Sequence, residues 1–124
     1  MKKILLVLLI IVSLVLIACN TLLSNYMYEI TGTATSVRIT FYDENGSTIQ
    51  QPVNLPWSYS FQRSNGYDFF AYLSAQNEGT DGTVTAKIYK EGNVERQATA
   101  SGAYCSVTIN YSWSVPKNDD KEES

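Results

Sequence analysis

Two thiols, two short acidic clusters and a scatter of serines are the residues of this 124-residue chain whose types allow chemistry. Histidine is absent, which removes the commonest general base and the commonest transition-metal ligand together. A zinc site would be left with one thiol and carboxylates, a poor donor set. Asp43-Glu44 and Glu78 with Asp81 are the candidate acid pairs. Both lie in turn sequences, where solvated carboxylates are ordinary. Ser101 and the other serines lack a partner base. Gly46, Gly66, Gly79, Gly82, Gly92 and Gly102 fall between strand patterns, and none opens a helix after a phosphate-cradling loop. The inventory reads as a non-catalytic chain without a cofactor.

Cys19 is the thiol whose setting is informative. Lys2 and Lys3 precede an apolar run from Ile4 to Ala18, broken only by Ser13, and Asn20 and Thr21 follow the cysteine. A basic start and a run of this length fit a secretory signal peptide. The alternative is a membrane-spanning anchor, which needs about 20 apolar residues. This run has fifteen. Its end, Leu16-Ile17-Ala18-Cys19, resembles the lipobox of bacterial lipoproteins. That resemblance implies diacylglycerol transfer to the Cys19 thiol, cleavage after Ala18, and a third acyl chain on the new amino terminus. Two or more acyl chains anchor a protein durably, whereas one holds it only marginally. The expected location is the cell envelope, facing the periplasm or the exterior.

Cleavage would leave 106 residues, the size of one domain, with seven basic and twelve acidic residues and a formal charge of −5. Such an acidic module without a basic cluster is a poor ligand for nucleic acid. With Cys19 acylated, Cys105 has no intramolecular partner. It can be reactive or pair with another chain, but the alternating run Cys105-Val107-Ile109 points to a buried small hydrophobe.

The organisation expected is a signal peptide over 1–18, a lipidated tether over 19–27, a folded domain over 28–115 and a charged disordered tail over 116–124. Within the domain, period-two alternation recurs. Val37, Ile39 and Phe41 alternate with Arg38, Thr40 and Tyr42; Trp57, Tyr59 and Phe61 with serines and Gln62; Val84, Ala86 and Ile88 with Thr85, Lys87 and Tyr89. Asp43 to Ser47 and Lys90-Glu91-Gly92-Asn93 carry turn chemistry. The second of these leads into Val94 to Ala100 as a hairpin partner. Tyr67 to Ala75 is nearly continuous in apolar character and predicts a central strand covered on both faces. Pro52 and Pro56 mark an edge strand or a crossing between sheets. These signals predict an all-β antiparallel β-sandwich of seven or eight strands, immunoglobulin-like in architecture only, because the Cys…Trp…Cys signature is missing.

Tyrosine is the enriched class, with nine copies. Trp57, Phe61 and Phe69 have inward spacing, and Trp57 is expected to be buried between the sheets. Tyr42, Tyr89 and Tyr104 alternate against apolar neighbours and are the candidate ligand or partner contacts. Outward tyrosines can stack on sugars or line an interface; they are also ordinary exposed strand residues. Asn45-Gly46-Ser47 and Asn110-Tyr111-Ser112 match the glycosylation pattern, which a bacterial-type lipobox makes a matter of chance.

Several ordered stretches resemble the soluble domain of the small mycobacterial membrane protein family, MmpS. They are Tyr28-Glu29-Ile30-Thr31-Gly32 with Val37 to Tyr42, Asn54-Leu55-Pro56-Trp57, Leu73 to Asn77, Gly82 to Tyr89 with Glu91-Gly92, and Ala100 to Tyr104. The resemblance implies a β-sandwich outside the cytoplasmic membrane, acting as an accessory subunit of resistance-nodulation-division transporters that export lipids and siderophores. Two departures stand out. Family members carry a transmembrane helix where this chain has a lipobox, and a late cysteine pair where this chain has Ala86 and an unpartnered Cys105. The functional expectation is an envelope lipoprotein that assists a transporter or another envelope complex. The alternative is a glycan- or lipid-binding module using exposed aromatics.

Cys19→Ser tests the anchor. The variant should accumulate as a larger uncleaved precursor and fail to incorporate labelled fatty acid, while Cys105→Ser changes neither. Labelling that persists in Cys19→Ser would restore the membrane-helix alternative.

Overall fold

Alternation of apolar and polar side chains shapes most strands of the computed structural model, which describes residues 23–116 together with Lys3. Eight strands form: β1 (Leu23–Thr31), β2 (Val37–Tyr42), β3 (Thr48–Val53), β4 (Trp57–Ser64), β5 (Phe69–Asn77), β6 (Thr83–Lys90), β7 (Asn93–Ser101) and β8 (Ser106–Trp113). They pair antiparallel into two four-stranded sheets, ordered β4-β1-β6-β7 and β3-β2-β5-β8. The fold is the all-β sandwich that the alternation predicts. Only β2–β3 and β6–β7 are hairpins within one sheet; the other connections cross between layers. The signal segment and Cys19 lie outside the described residues, as does the tail beyond Pro116.

The core is built from the inward positions of both sheets. Tyr26, Tyr28 and Ile30 of β1 meet Ile39 and Phe41 of β2, Leu73 and Ala75 of β5, and Val84, Ala86 and Ile88 of β6. Tyr28 is fully buried, and its ring lies against Phe41 at 5.8 Å, Phe61 at 5.1 Å and Tyr59 at 6.4 Å between centroids. Its hydroxyl donates to the Tyr42 carbonyl in the opposite sheet at 2.8 Å. A buried phenol thus spans the two layers without leaving its polar atom unpaired.

The far end of the sandwich is tied by a buried amide. Asn77 Nδ2 donates to the carbonyls of Asp81 and Gly102 at 2.8 and 3.2 Å, and its Oδ1 accepts from Gly79 N at 2.8 Å. There Gly32, at φ +140°, packs so closely that a Cβ would sit 2.1 Å from the Thr83 carbonyl oxygen. The position accepts only glycine.

Four expectations need correction. β1 begins at Leu23 and pairs from there with Ser64 of β4, so 23–27 belong to the sandwich and not to a tether. The run Tyr67 to Ala75 is not covered on both faces. Tyr67 lies in the turn before β5, and β5 buries Phe69, Ala71, Leu73 and Ala75 while Phe70 faces solvent and Tyr72 is only half-buried. Trp57 is half-buried rather than enclosed, because β4 is an edge strand and its first inward residue is covered from one side, by Phe41 at 5.2 Å. Cys105 is also half-buried, just ahead of β8. Pro52 does lie on the edge strand β3, and residues 54–56 carry the chain across to β4.

Tyr28→Phe retains the ring packing and deletes only the inter-sheet hydrogen bond. We expect a loss of about 1 kcal/mol, read in urea as a lower midpoint with an unchanged slope.

Candidate functional site

Tyr42, Tyr89 and Tyr104 occupy three separate places. Tyr42 stands on the outer face of the β3-β2-β5-β8 sheet, because Phe41 beside it points into the core. Tyr89 stands on the outer face of the other sheet. Tyr104 lies in the β7–β8 connection with φ 54° and is largely exposed. No single surface brings the three together.

Tyr42 instead has partners that the sequence reading missed. Its ring stacks on Tyr72 at 4.9 Å and 26°, and meets Phe70 at 6.0 Å. Phe70 and Tyr72 come from the outward positions of β5. Around them the outer face is rich in hydroxyl and amide groups: Thr108 donates to Ser74 at 3.1 Å and Gln50 to Thr40 at 3.2 Å. An aromatic cluster on a hydroxyl-rich sheet can stack on a flat apolar surface while the rim supplies hydrogen bonds. The signal was available, since Phe70, Tyr72 and Ser74 alternate with Phe69, Ala71 and Leu73.

A hollow of about 260 Å³ adjoins the cluster, lined by Tyr42, Glu44, Asn45, Gly46, Arg63, Asp68, Phe69 and Phe70. Its charged groups are held by the fold. Glu44 Oε2 accepts from the Tyr59 hydroxyl at 2.5 Å, and the Glu44 carbonyl accepts from Arg63 Nη1 at 2.6 Å. The Arg63 guanidinium lies over the Phe69 ring at 5.1 Å. Asp68 Oδ1 accepts from Val115 N at 2.9 Å. These contacts fasten the β2–β3 turn to β4 and the end of β8 to the β4–β5 turn.

A second, larger depression of about 620 Å³ lies over β1 on the other sheet, lined by Asn25, Met27, Ser60, Gln62 and Tyr89 among others. Gln62 Nε2 donates to Asn25 Oδ1 at 2.8 Å, and the Tyr89 hydroxyl donates to Glu29 at 3.0 Å. Burial, and then the Glu29 carboxylate, raise the pKa of Tyr89. The depression is shallow and its polar groups pair with one another.

The acidic clusters serve turns. Asp43 Oδ1 accepts from Asn45 N at 2.9 Å and Ser47 N at 2.8 Å, and Glu78 pairs with Arg38 at 3.2 Å on the surface. Among the described residues no group of three or more His, Cys, Asp or Glu side chains is placed to hold a metal ion. No helix among them is long and apolar enough to cross a membrane.

The Glu44 carboxylate, accepting the Tyr59 hydroxyl hydrogen bond, pushes the Tyr59 pKa up to about 12, and burial does the same for Tyr26. A raised pKa in the folded state stabilises the fold fully below the ordinary tyrosine value near 10, and that contribution is lost as pH rises toward 12. Stability should therefore fall across this alkaline window, followed by tyrosinate absorbance and circular dichroism together. Glu44→Gln keeps an acceptor but removes the charge, so it should lower the ionisation midpoint of Tyr59. An unchanged titration would contradict the pairing.

Compared with known proteins, the sequence matches no family model and no curated protein.

Proposed function

We propose that this chain is a non-catalytic lipoprotein of the cell envelope, held by acylated Cys19, that assists a membrane transporter or another envelope complex by contact. The observation that carries the reading is the Tyr42–Tyr72–Phe70 cluster. It is aromatic surface on the outward face of a sheet whose other outward positions, Arg38 and Pro52 excepted, are hydroxyl and amide side chains. Aromatic residues are enriched in protein contact surfaces, where a few rings supply most of the affinity. The lipobox and the ordered MmpS-like stretches support an envelope setting and a transporter partner of the resistance-nodulation-division class.

A second reading, a glycan-binding module, is favoured by the hollow beside Phe70. It offers ring edges from Tyr42 and Phe70 next to Asn45, Gly46 and Asp68, a mixture suited to stacking and hydrogen bonding on a sugar. The two readings separate experimentally. Affinity capture of the lipidated chain from detergent-solubilised membranes should recover a transporter subunit, and Tyr42→Ala with Phe70→Ala should abolish that recovery. Capture that survives both substitutions, together with loss of binding on an envelope-glycan array, favours the glycan module. Capture of no envelope component, with or without the substitutions, would sink the accessory role.

A further inference from the structure

The exposed large apolar side chains are not spread evenly over the sandwich. Leu23 (45% exposed), Tyr67 (70%), Phe70 (47%), Val94 (44%) and Val115 (37%) gather at one end, whereas Tyr104 (62%) alone marks the other. The strand register fixes this grouping. Leu23 opens β1 opposite Ser64, the last residue of β4, and Tyr67 lies in the turn that follows. Phe70 faces Ser112 near the end of β8, with Val115 just beyond. Val94 faces Tyr89 beside the β6–β7 turn. Five apolar groups from four segments distant in sequence thus crown the end at which the described chain begins.

That end is also the one nearest Cys19. Three residues separate Cys19 from Leu23, and even fully extended the four Cα-to-Cα steps span only about 14 Å. With acyl chains on Cys19, the end bearing Leu23 has no room to stand away from the lipid. We infer that this end of the sandwich rests directly on the bilayer, with Leu23, Tyr67, Phe70, Val94 and Val115 entering its interfacial layer. This inference rests on the lipid-anchor reading given above.

The side-chain chemistry fits an interface of neutral headgroups. Tyrosine is favoured at the depth where one side is apolar and the other wet. Asp43, Glu44, Asp68 and Glu91 lie in the turns of this end and outnumber the nearby Lys90 and Arg63, so the contact comes from insertion of apolar surface and not from attraction to anionic lipid. Anchored in this way, the sandwich stands upright. Its β strands run away from the membrane, and the Tyr42–Tyr72–Phe70 cluster lies close to the lipid surface, where it meets membrane-embedded partners from the side.

The test uses the full-length chain, acylated in the cell, purified in detergent and reconstituted into phosphatidylcholine vesicles. In a Cys105→Ser background, Tyr67→Cys, Phe70→Cys or Tyr104→Cys is labelled with an environment-sensitive fluorophore and exposed to headgroup spin-labelled lipid. Positions 67 and 70 should be quenched severalfold more than position 104, with a blue-shifted emission that added salt leaves unchanged. Vesicle-bound protein with equal quenching at all three positions overturns the inference and leaves the anchor standing. Protein that fails to float with the vesicles overturns the anchor, and the inference falls with it.

Discussion

The buried hydroxyl of Tyr28 is the constraint around which this sandwich is arranged. Its ring fills the centre of the core, and the oxygen at its tip cannot be left dry without a partner. It finds one across the layers, in the Tyr42 carbonyl at 2.8 Å. Burial holds its pKa far above the ordinary tyrosine value, so the hydroxyl stays a donor over the whole range in which the protein lives. The bond sets where β1 lies over β2. It also fixes the backbone of the residue whose side chain points the opposite way, into the outer aromatic cluster. Core and surface are thus coupled at one residue.

The remaining cross-layer ties act at the margins, where a sandwich of edge strands is weakest. On one margin, Lys90 Nζ sits 3.7 Å above the Trp113 ring and Arg96 lies 5.5 Å from Tyr111, so cations close the gap between β6–β7 and β8. On the other margin, Ile49, Val53, Leu55, Trp57 and Tyr59 are only partly covered. Pro52 removes a donor from the outer strand there, which blunts edge-to-edge pairing. The hydrogen bond from Tyr59 to Glu44 then pins the corner between β4 and the β2–β3 turn. Polar contacts do at the rim what apolar packing does at the centre.

Much of this was legible in the sequence because a half-buried strand writes its burial as alternation. β2, β4 and β6 follow the expected alternation, and Glu91-Gly92 forms the expected turn, with positive φ at both positions although glutamate seldom adopts it. The failures have a common physical origin. In β5 the first two outward positions are Phe70 and Tyr72, so the two faces differ little in hydropathy there and the alternation shows only from Ser74 and Gln76 onward. In Leu23–Met27 the outward residues are Leu23, Asn25 and Met27, and the inward ones are Ser24 and Tyr26. Ser24 is buried through a hydrogen bond to Asn65, which hydropathy cannot register. Patterning reveals a strand when its two faces differ, and hides it when outward aromatics or hydrogen-bonded inward polar groups make them alike.

That rule bears on why Tyr42 and Tyr89 differ although each was a candidate for the same reasons. Both alternate with core residues, and both lie on an outward sheet face. Tyr89 has a carboxylate on the neighbouring strand in Glu29, and the hydroxyl commits to it. Its ring is then held over β1, and what remains is a shallow, self-satisfied surface. Tyr42 has two further rings beside it, and the carboxylates that share its hollow, Glu44 and Asp68, are already bonded to Tyr59 and to the Val115 N–H. Its ring therefore packs on Tyr72 and Phe70 instead of being drawn to a charge. Aromatic packing without a charged partner leaves ring surface and rim hydroxyls available, whereas a charge-assisted bond consumes the polar end of the side chain. The chemistry of the neighbouring strands, more than exposure or residue type, decides which tyrosine is drawn to a charge and which packs on other rings.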